Sequence, residues 1–352
     1  MSSTLVAVER RLAAALVRLG GPVRVHPFHG FGADGRVRLG GRVLVGAPPR
    51  PRTSAPRATD GTPRGRWAVV RANLLPFLTL EVPRARVRLQ LGDRVAVVRA
   101  DGGGYLRAEL EDVALTAGRH TATLTPEEPS GRSSTIVVHV LDPATDVAVV
   151  SDIDDTIVDS GVAHGLRATL ATALLRKQST RVPLEGAPEL YRALARGGEH
   201  HRPFFYLSTS PWDLAGFLQG FLVRHGFPDG PLLLMDWGPS TTGAARLCRS
   251  EHKLAALRDL ARQLPRVRFV LIGDTGQQDP SVYAAFAREH PGRVACVYVR
   301  RAGDPGAQAD ARADRAAAVL ADCGVPFLVT GDSAEMLRHA RSLGLADAQQ
   351  QG

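Results

Sequence analysis

Two short acidic loops hold the residues best suited to chemistry: Asp152-Ile153-Asp154-Asp155-Thr156, and Gly273-Asp274 with Asp279 five residues beyond. Each follows a four-residue apolar run, 147–150 and 269–272. An apolar run that stops at carboxylates reads as a buried parallel strand carrying charge to the C-terminal edge of a sheet. Open α/β sheets hold their ligands at that edge. Carboxylates gathered there repel one another unless a cation lies between them. Oxygen-only ligands at a partly open site suit Mg²⁺, which keeps several waters and is shared with a substrate phosphate. Where a chain leaves a strand, residues i and i+2 can converge on one site, so Asp152 and Asp154 form a working pair. One carboxylate can attack phosphorus, and the other can protonate the leaving oxygen and then activate water. Thr156 adds a hydroxyl that can hold this phosphate-facing loop. Ser208, closing the next apolar run, can donate to a phosphoryl oxygen; Lys253 offers positive charge, and Asp274 completes a metal site. Together these residues point to metal-assisted phosphoryl transfer.

The elements that would position them form a regular series. Apolar runs at 147–150, 204–207, 232–235, 269–272, 294–299 and 327–329 alternate with helical patterns at 188–196, 214–224, 252–263, 281–290 and 309–323. Strand and helix in alternation predict a doubly wound parallel sheet over residues 146–345. Asp332, after the last run, reads as a helix N-cap. Residues 22–143 differ, with short alternating runs such as 23–26, 36–39, 86–91, 105–110 and 135–140 between Gly and Pro. They predict a smaller antiparallel β domain, sandwich-like, with a mobile Pro- and Arg-rich loop over 46–65. Residues 1–21 carry an amphipathic helix with Leu5, Val8, Leu12, Leu16 and Leu19 on one face. That face reads first as packing on its own domain, and alternatively as an interfacial membrane helix.

The chain has 352 residues, a net charge of +9 and a pI near 10.2, which invites a nucleic-acid reading. The basic residues are scattered rather than drawn into an aromatic-studded stripe, so no nucleic-acid partner is expected. All but two of the 44 Lys and Arg residues are arginine. A lysine in such a chain marks a place where a compact ammonium is required, and Lys253 opens a helix just before the strand carrying Asp274. Lys177 has no such context. Cys248, Cys296 and Cys323 fit neither a disulfide framework nor a zinc spacing. With no long apolar segment and no apolar leader, a cytoplasmic protein is expected, with peripheral contact to anionic membrane as an extension. Nothing in the sequence fixes the oligomeric state.

In order, Asp152-x-Asp154-x-Thr156, Ser208, Lys253 and Gly273-Asp274-x4-Asp279 resemble the four signature motifs of haloacid dehalogenase-like (HAD) phosphatases. More narrowly, Ser151–Thr156, Ser208-x-Ser210-Pro211-Trp212, Met235-Asp236-Trp237, His252-Lys253 and Ile272–Pro280 look like the catalytic domain of the actin-patch phosphatidate phosphatase family. The resemblance covers roughly residues 146–300. It implies a Rossmann-like catalytic domain, dependence on Mg²⁺ and an aspartyl-phosphate intermediate. Asp152 would be nucleophile and metal ligand, and Asp154 the acid/base with its backbone carbonyl on the metal. Ser208, Lys253 and Thr156 would face the phosphoryl group, Asp274 would ligate Mg²⁺, and Asp279 and Ser210 would support them. Trp212 and Trp237 read as packing groups. The cap expected of this superfamily falls within 157–203 and is small, leaving an open site. The implied substrate is a phosphate ester, with the phospholipid phosphatidate the best single choice. A soluble phosphate ester or phosphoprotein is the alternative within the same chemistry, and a non-catalytic binding module the alternative outside it.

Overall fold

Strand β9 (Val147–Ser151) is buried along its whole length, as expected of a strand covered on both faces. It forms the middle of a six-stranded parallel sheet with β10 (Phe204–Pro211), β11 (Leu232–Met235), β12 (Arg268–Asp274), β13 (Val294–Arg300) and β14 (Phe327–Thr330). The spatial order is β11-β10-β9-β12-β13-β14. The chain thus steps outward to one side of β9 and then returns to build the other side. The computed structural model describes residues 3–46, 80–153, 156–157, 183–198, 201–235, 249–301 and 306–347. Asp154, Asp155, Asp236, Trp237, Lys177, Cys248, most of the expected 46–65 loop and residues 158–182 of the segment expected to hold the cap lie outside them.

The alternation of β9 sends side chains to opposite faces, and two apolar cores result. Val147 and Val149 pack with α2 (Ala187–Ala195), α3 (Ala215–Arg224) and α7 (Ser333–Ser342). Ala148 and Val150 pack with α4 (Arg249–Gln263), α5 (Asp279–Glu289) and α6 (Gly306–Asp322). Asp332 caps α7, its carboxylate accepting from the Ala334 N–H at 2.8 Å, as its sequence position predicted.

The first part of the chain forms a second, curled sheet. Its strands are β1 (Val23–Ala33), β2 (Arg36–Val45), β3 (Leu80–Glu81), β4 (Arg86–Leu91), β5 (Arg94–Arg99), β6 (Tyr105–Leu110), β7 (Gly118–Glu128) and β8 (Ser134–Val140). Hydrogen bonds join all eight in one sheet, antiparallel except where β1 meets β8 in parallel. Val25, Leu39, Val43, Leu89, Leu124 and Val138 fill its core. Helix α1 (Ser3–Arg18) lies on this sheet through Ala13 and Val17. Leu12, Leu16 and Leu19 instead face outward, at 54%, 39% and 83% exposure, so the packed face is not the leucine face. The small Ala13 side chain permits the close approach; leucine at that position would hold the helix away.

The two sheets meet along a seam. Phe31 of β1 sits edge-on to Phe205 of β10 at 5.3 Å, and Phe28 stacks on Trp212. Arg38 pairs with Asp259 at 3.2 Å and Arg119 with Asp229 at 3.1 Å.

Candidate active site

The site forms at the C-terminal ends of β9, β10 and β12, where the strand order reverses, the edge at which open α/β sheets hold their ligands. Asp152 directly follows β9, and its N–H donates to the Ile272 carbonyl at 2.8 Å. Asp274 ends β12 on the neighbouring strand, aligned in parallel with β9 through Ile272 opposite Ser151. Asp279 opens α5 on the same loop, and Lys253 lies in the first turns of α4. All four are buried: Asp152 is 1% exposed, Lys253 2%, and Asp274 and Asp279 0%.

Lys253 is the hub. Its ammonium lies 2.9 Å from Asp152 Oδ1 and pairs closely with Asp279 Oδ1. Burial alone would lower the pKa of this lysine, but the charges of Asp152, Asp279 and Asp274 outweigh it and raise it. Lys253 is therefore a fixed cation. Asp279 faces two ways, its Oδ2 accepting the Asp274 N–H at 3.2 Å. A side chain on Gly273 would place Cβ 2.7 Å from Asp279 Cβ and 2.8 Å from its Cγ. Glycine is thus the residue that lets the two acids approach.

Asp152, Asp274 and Asp279 each offer a carboxylate oxygen, all within 4.8 Å of one another. Among the described residues, these three buried carboxylates face the Lys253 ammonium. An oxygen-only donor set of this kind is compatible with a divalent cation. Thr156 donates to Asp152 Oδ2 at a long 3.5 Å. Ser208 and Ser210 are buried at the end of β10, with the Ser210 N–H donating to Ser208 Oγ at 2.9 Å.

Several participants were not assigned roles from sequence. The Gln277 side chain donates to Asp152 Oδ2 at 3.3 Å and lies 3.5 Å from the Lys253 ammonium, bridging the two acidic loops. It stands inside the Ile272–Pro280 stretch, which was the signal available. Ser151 Oγ donates to the Asp152 carbonyl at 2.6 Å and meets the Tyr191 hydroxyl at 2.6 Å. With the serine proton committed, tyrosine is the donor, and burial raises its pKa so that it keeps its proton. Tyr283 donates to the Ile272 carbonyl at 2.9 Å, fixing the strand just before Gly273. His252, beside the hub lysine, has its pKa lowered to about 4 by burial and by Lys253, and is neutral near pH 7.

Residues 147–301 match the family model described as the phosphatidate phosphatase APP1 catalytic domain. Phosphatidate phosphatase APP1 of Saccharomyces cerevisiae is 26% identical over 154 residues, which are 44% of this chain and 26% of the yeast protein. An uncharacterized protein of Schizosaccharomyces pombe is 28% identical over 154 residues, 44% of this chain and 25% of its own. The chain thus spans about a quarter of the length of these relatives. Among solved structures, the carbohydrate acetylesterase XAC1771 from Xanthomonas citri aligns over 89% of this chain and 72% of its own. At 12% identity and a TM-score of 0.34, that likeness carries no argument. Over residues 147–301 the chain is thus similar to the phosphatidate phosphatase APP1 catalytic domain.

Proposed function

We propose that this protein is a phosphoric monoester hydrolase, a Mg²⁺-dependent phosphatase acting through an aspartyl phosphate, with phosphatidate as its substrate. The observation that carries the reading is the buried Asp152–Lys253–Asp279–Asp274 cluster at the point where the strand order reverses. The strand order and the helices on both faces also favour a Rossmann-like, HAD-type catalytic unit over 146–345, with the curled sheet as a separate domain over 22–143.

In this reading Asp152 attacks phosphorus while the bond to the ester oxygen breaks. Asp154 gives that oxygen its proton, releasing the alcohol, diacylglycerol in the case of phosphatidate. Asp154 then takes a proton from water as its oxygen attacks phosphorus, and the bond to Asp152 breaks to release inorganic phosphate. Lys253 stabilises charge on the phosphoryl oxygens, and Ser208 and Thr156 donate to them. Asp279 and Gln277 hold Lys253 in place. Asp152 and Asp274, with the Asp154 carbonyl, would hold the cation, which when bound neutralises phosphoryl charge.

For a bilayer-borne substrate, the outward leucines of α1 with Arg11 and Arg18 beside them suit an anionic leaflet: apolar side chains enter the interface and arginines meet the headgroups. Among the described residues, no helix is long and apolar enough to cross a membrane.

The test is phosphate release with and without Mg²⁺, comparing phosphatidate in mixed micelles with a panel of soluble phosphomonoesters. Preferential, Mg²⁺-dependent release from phosphatidate is expected. Release from soluble esters alone would keep the chemistry and reject the lipid substrate. Release from none, by a folded protein, would reject the phosphatase reading.

A further inference from the structure

The geometry points to Phe28, on the curled sheet, as a positioning residue for the Ser208–Ser210 segment of the site, an inference that rests on the phosphatase reading above. Two irregularities in strand pairing meet at this place. In β1, Pro27 pairs with Gly41 and His29 with Gly40, leaving Phe28 as an extra residue with no opposite number. Such a bulge re-aims a side chain and is favoured beside active sites. Gly41, opposite, permits it; a Cβ there would lie 2.8 Å from Val25 Cγ1 and 3.1 Å from the His26 carbonyl. In β10, Leu207 pairs with Leu233 and Pro211 with Met235, so Ser208, Thr209 and Ser210 stand opposite Leu234 alone. The segment proposed to meet the phosphoryl group is therefore irregularly paired with β11.

A contact from the other sheet meets the end of this segment. The Phe28 ring stacks on Trp212 with centroids 3.8 Å apart and planes 10° from parallel. Trp212 starts the short 3₁₀ turn that ends the bulged segment. Behind Phe28 the support continues: Tyr105 of β6 lies 6.0 Å away, the Arg42 guanidinium sits over the Tyr105 ring at 4.4 Å, and Arg42 pairs with Glu81. A row of rings and one buried cation thus runs from the interior of the curled sheet to the serine segment. Asp152 is held by other contacts, its N–H on the Ile272 carbonyl and its carboxylate on Lys253. The curled sheet accordingly contributes to phosphate positioning while leaving the nucleophile untouched.

The test uses the full chain as wild type, Phe28→Ala, Phe28→Tyr, and the seam control Phe31→Leu. Inorganic phosphate affinity is read by calorimetry, kcat and KM on one accepted phosphomonoester by steady-state kinetics, and Tm by circular dichroism. Phe28→Ala should weaken phosphate binding and lower kcat/KM by about tenfold or more, since small displacements of positioning groups cost this much. Phe28→Tyr, which keeps the ring, should lie within about threefold of wild type on the same ground. Phe31→Leu should lower Tm without a comparable loss of phosphate affinity. Wild-type phosphate affinity and kcat/KM in Phe28→Ala would overturn the inference alone. So would losses in Phe28→Ala and Phe31→Leu that follow Tm equally. A wild type that neither binds phosphate nor hydrolyses any ester would overturn the phosphatase reading, and this inference with it.

Discussion

The exposed ion pairs of the curled sheet and the buried cluster of the parallel sheet handle charge in opposite ways. On the curled sheet, Arg88 meets Glu127 at 2.7 Å and Arg86 meets Glu128 at 3.2 Å with at least one partner of each pair well exposed. Water screens such pairs, and they add little. At the C-terminal edge of the parallel sheet, Lys253, Asp152, Asp274 and Asp279 are all but removed from solvent. Burying ions costs several kcal/mol each, and their mutual attraction offsets this only when geometry and hydrogen bonding are good. Stability alone would favour apolar groups there. That a buried acidic cluster is kept at the point where strand order reverses argues that its charge serves a ligand.

Breaking the hub should show the largest contrast. Lys253→Ala leaves three buried acids without their cation and should destabilise the fold by about 3–5 kcal/mol, read as a fall in the denaturant midpoint, with loss of phosphate turnover. Lys253→Arg keeps the charge but replaces a compact ammonium with a planar fork at a buried position. It should fold yet turn over at least about tenfold more slowly, as expected for a displaced phosphoryl contact; near-normal rates would reduce Lys253 to a structural ion. At the other extreme, Arg88→Ala should change stability by less than about 1 kcal/mol and leave turnover alone. A large effect there would erase the contrast between the sheets.

Much of the parallel sheet was legible because its strands are apolar on both faces. The run 147–150 and the strand Leu232–Met235 could be read from composition alone, and the acids at strand ends followed from the edge rule. Lys253 stood out because arginine replaces lysine nearly everywhere else. Residues whose roles depend on pairing register were hidden. Phe28 reads as one more residue of an alternating strand, and only its lack of an opposite number turns it towards Trp212. Tyr191 reads as a buried ring of α2, and its hydroxyl bond to Ser151 is a contact across 40 residues of chain. The leucines of α1 misled because helical periodicity identifies a face without saying which face packs. The parallel β1–β8 pair was likewise invisible, since nothing local encodes which distant strand a strand adopts.

The central claim is that the buried cluster performs phosphoryl transfer with Asp152 as the attacking group. The most direct measurement is Mg²⁺-dependent phosphate release by Asp152→Asn beside wild type on the preferred ester, with Tm recorded for both. Asparagine keeps the shape but lacks the attacking carboxylate, so turnover should fall below about 1% of wild type while the fold persists. Residual turnover well above that level in a folded Asp152→Asn protein would contradict the covalent route and the assignment of the site.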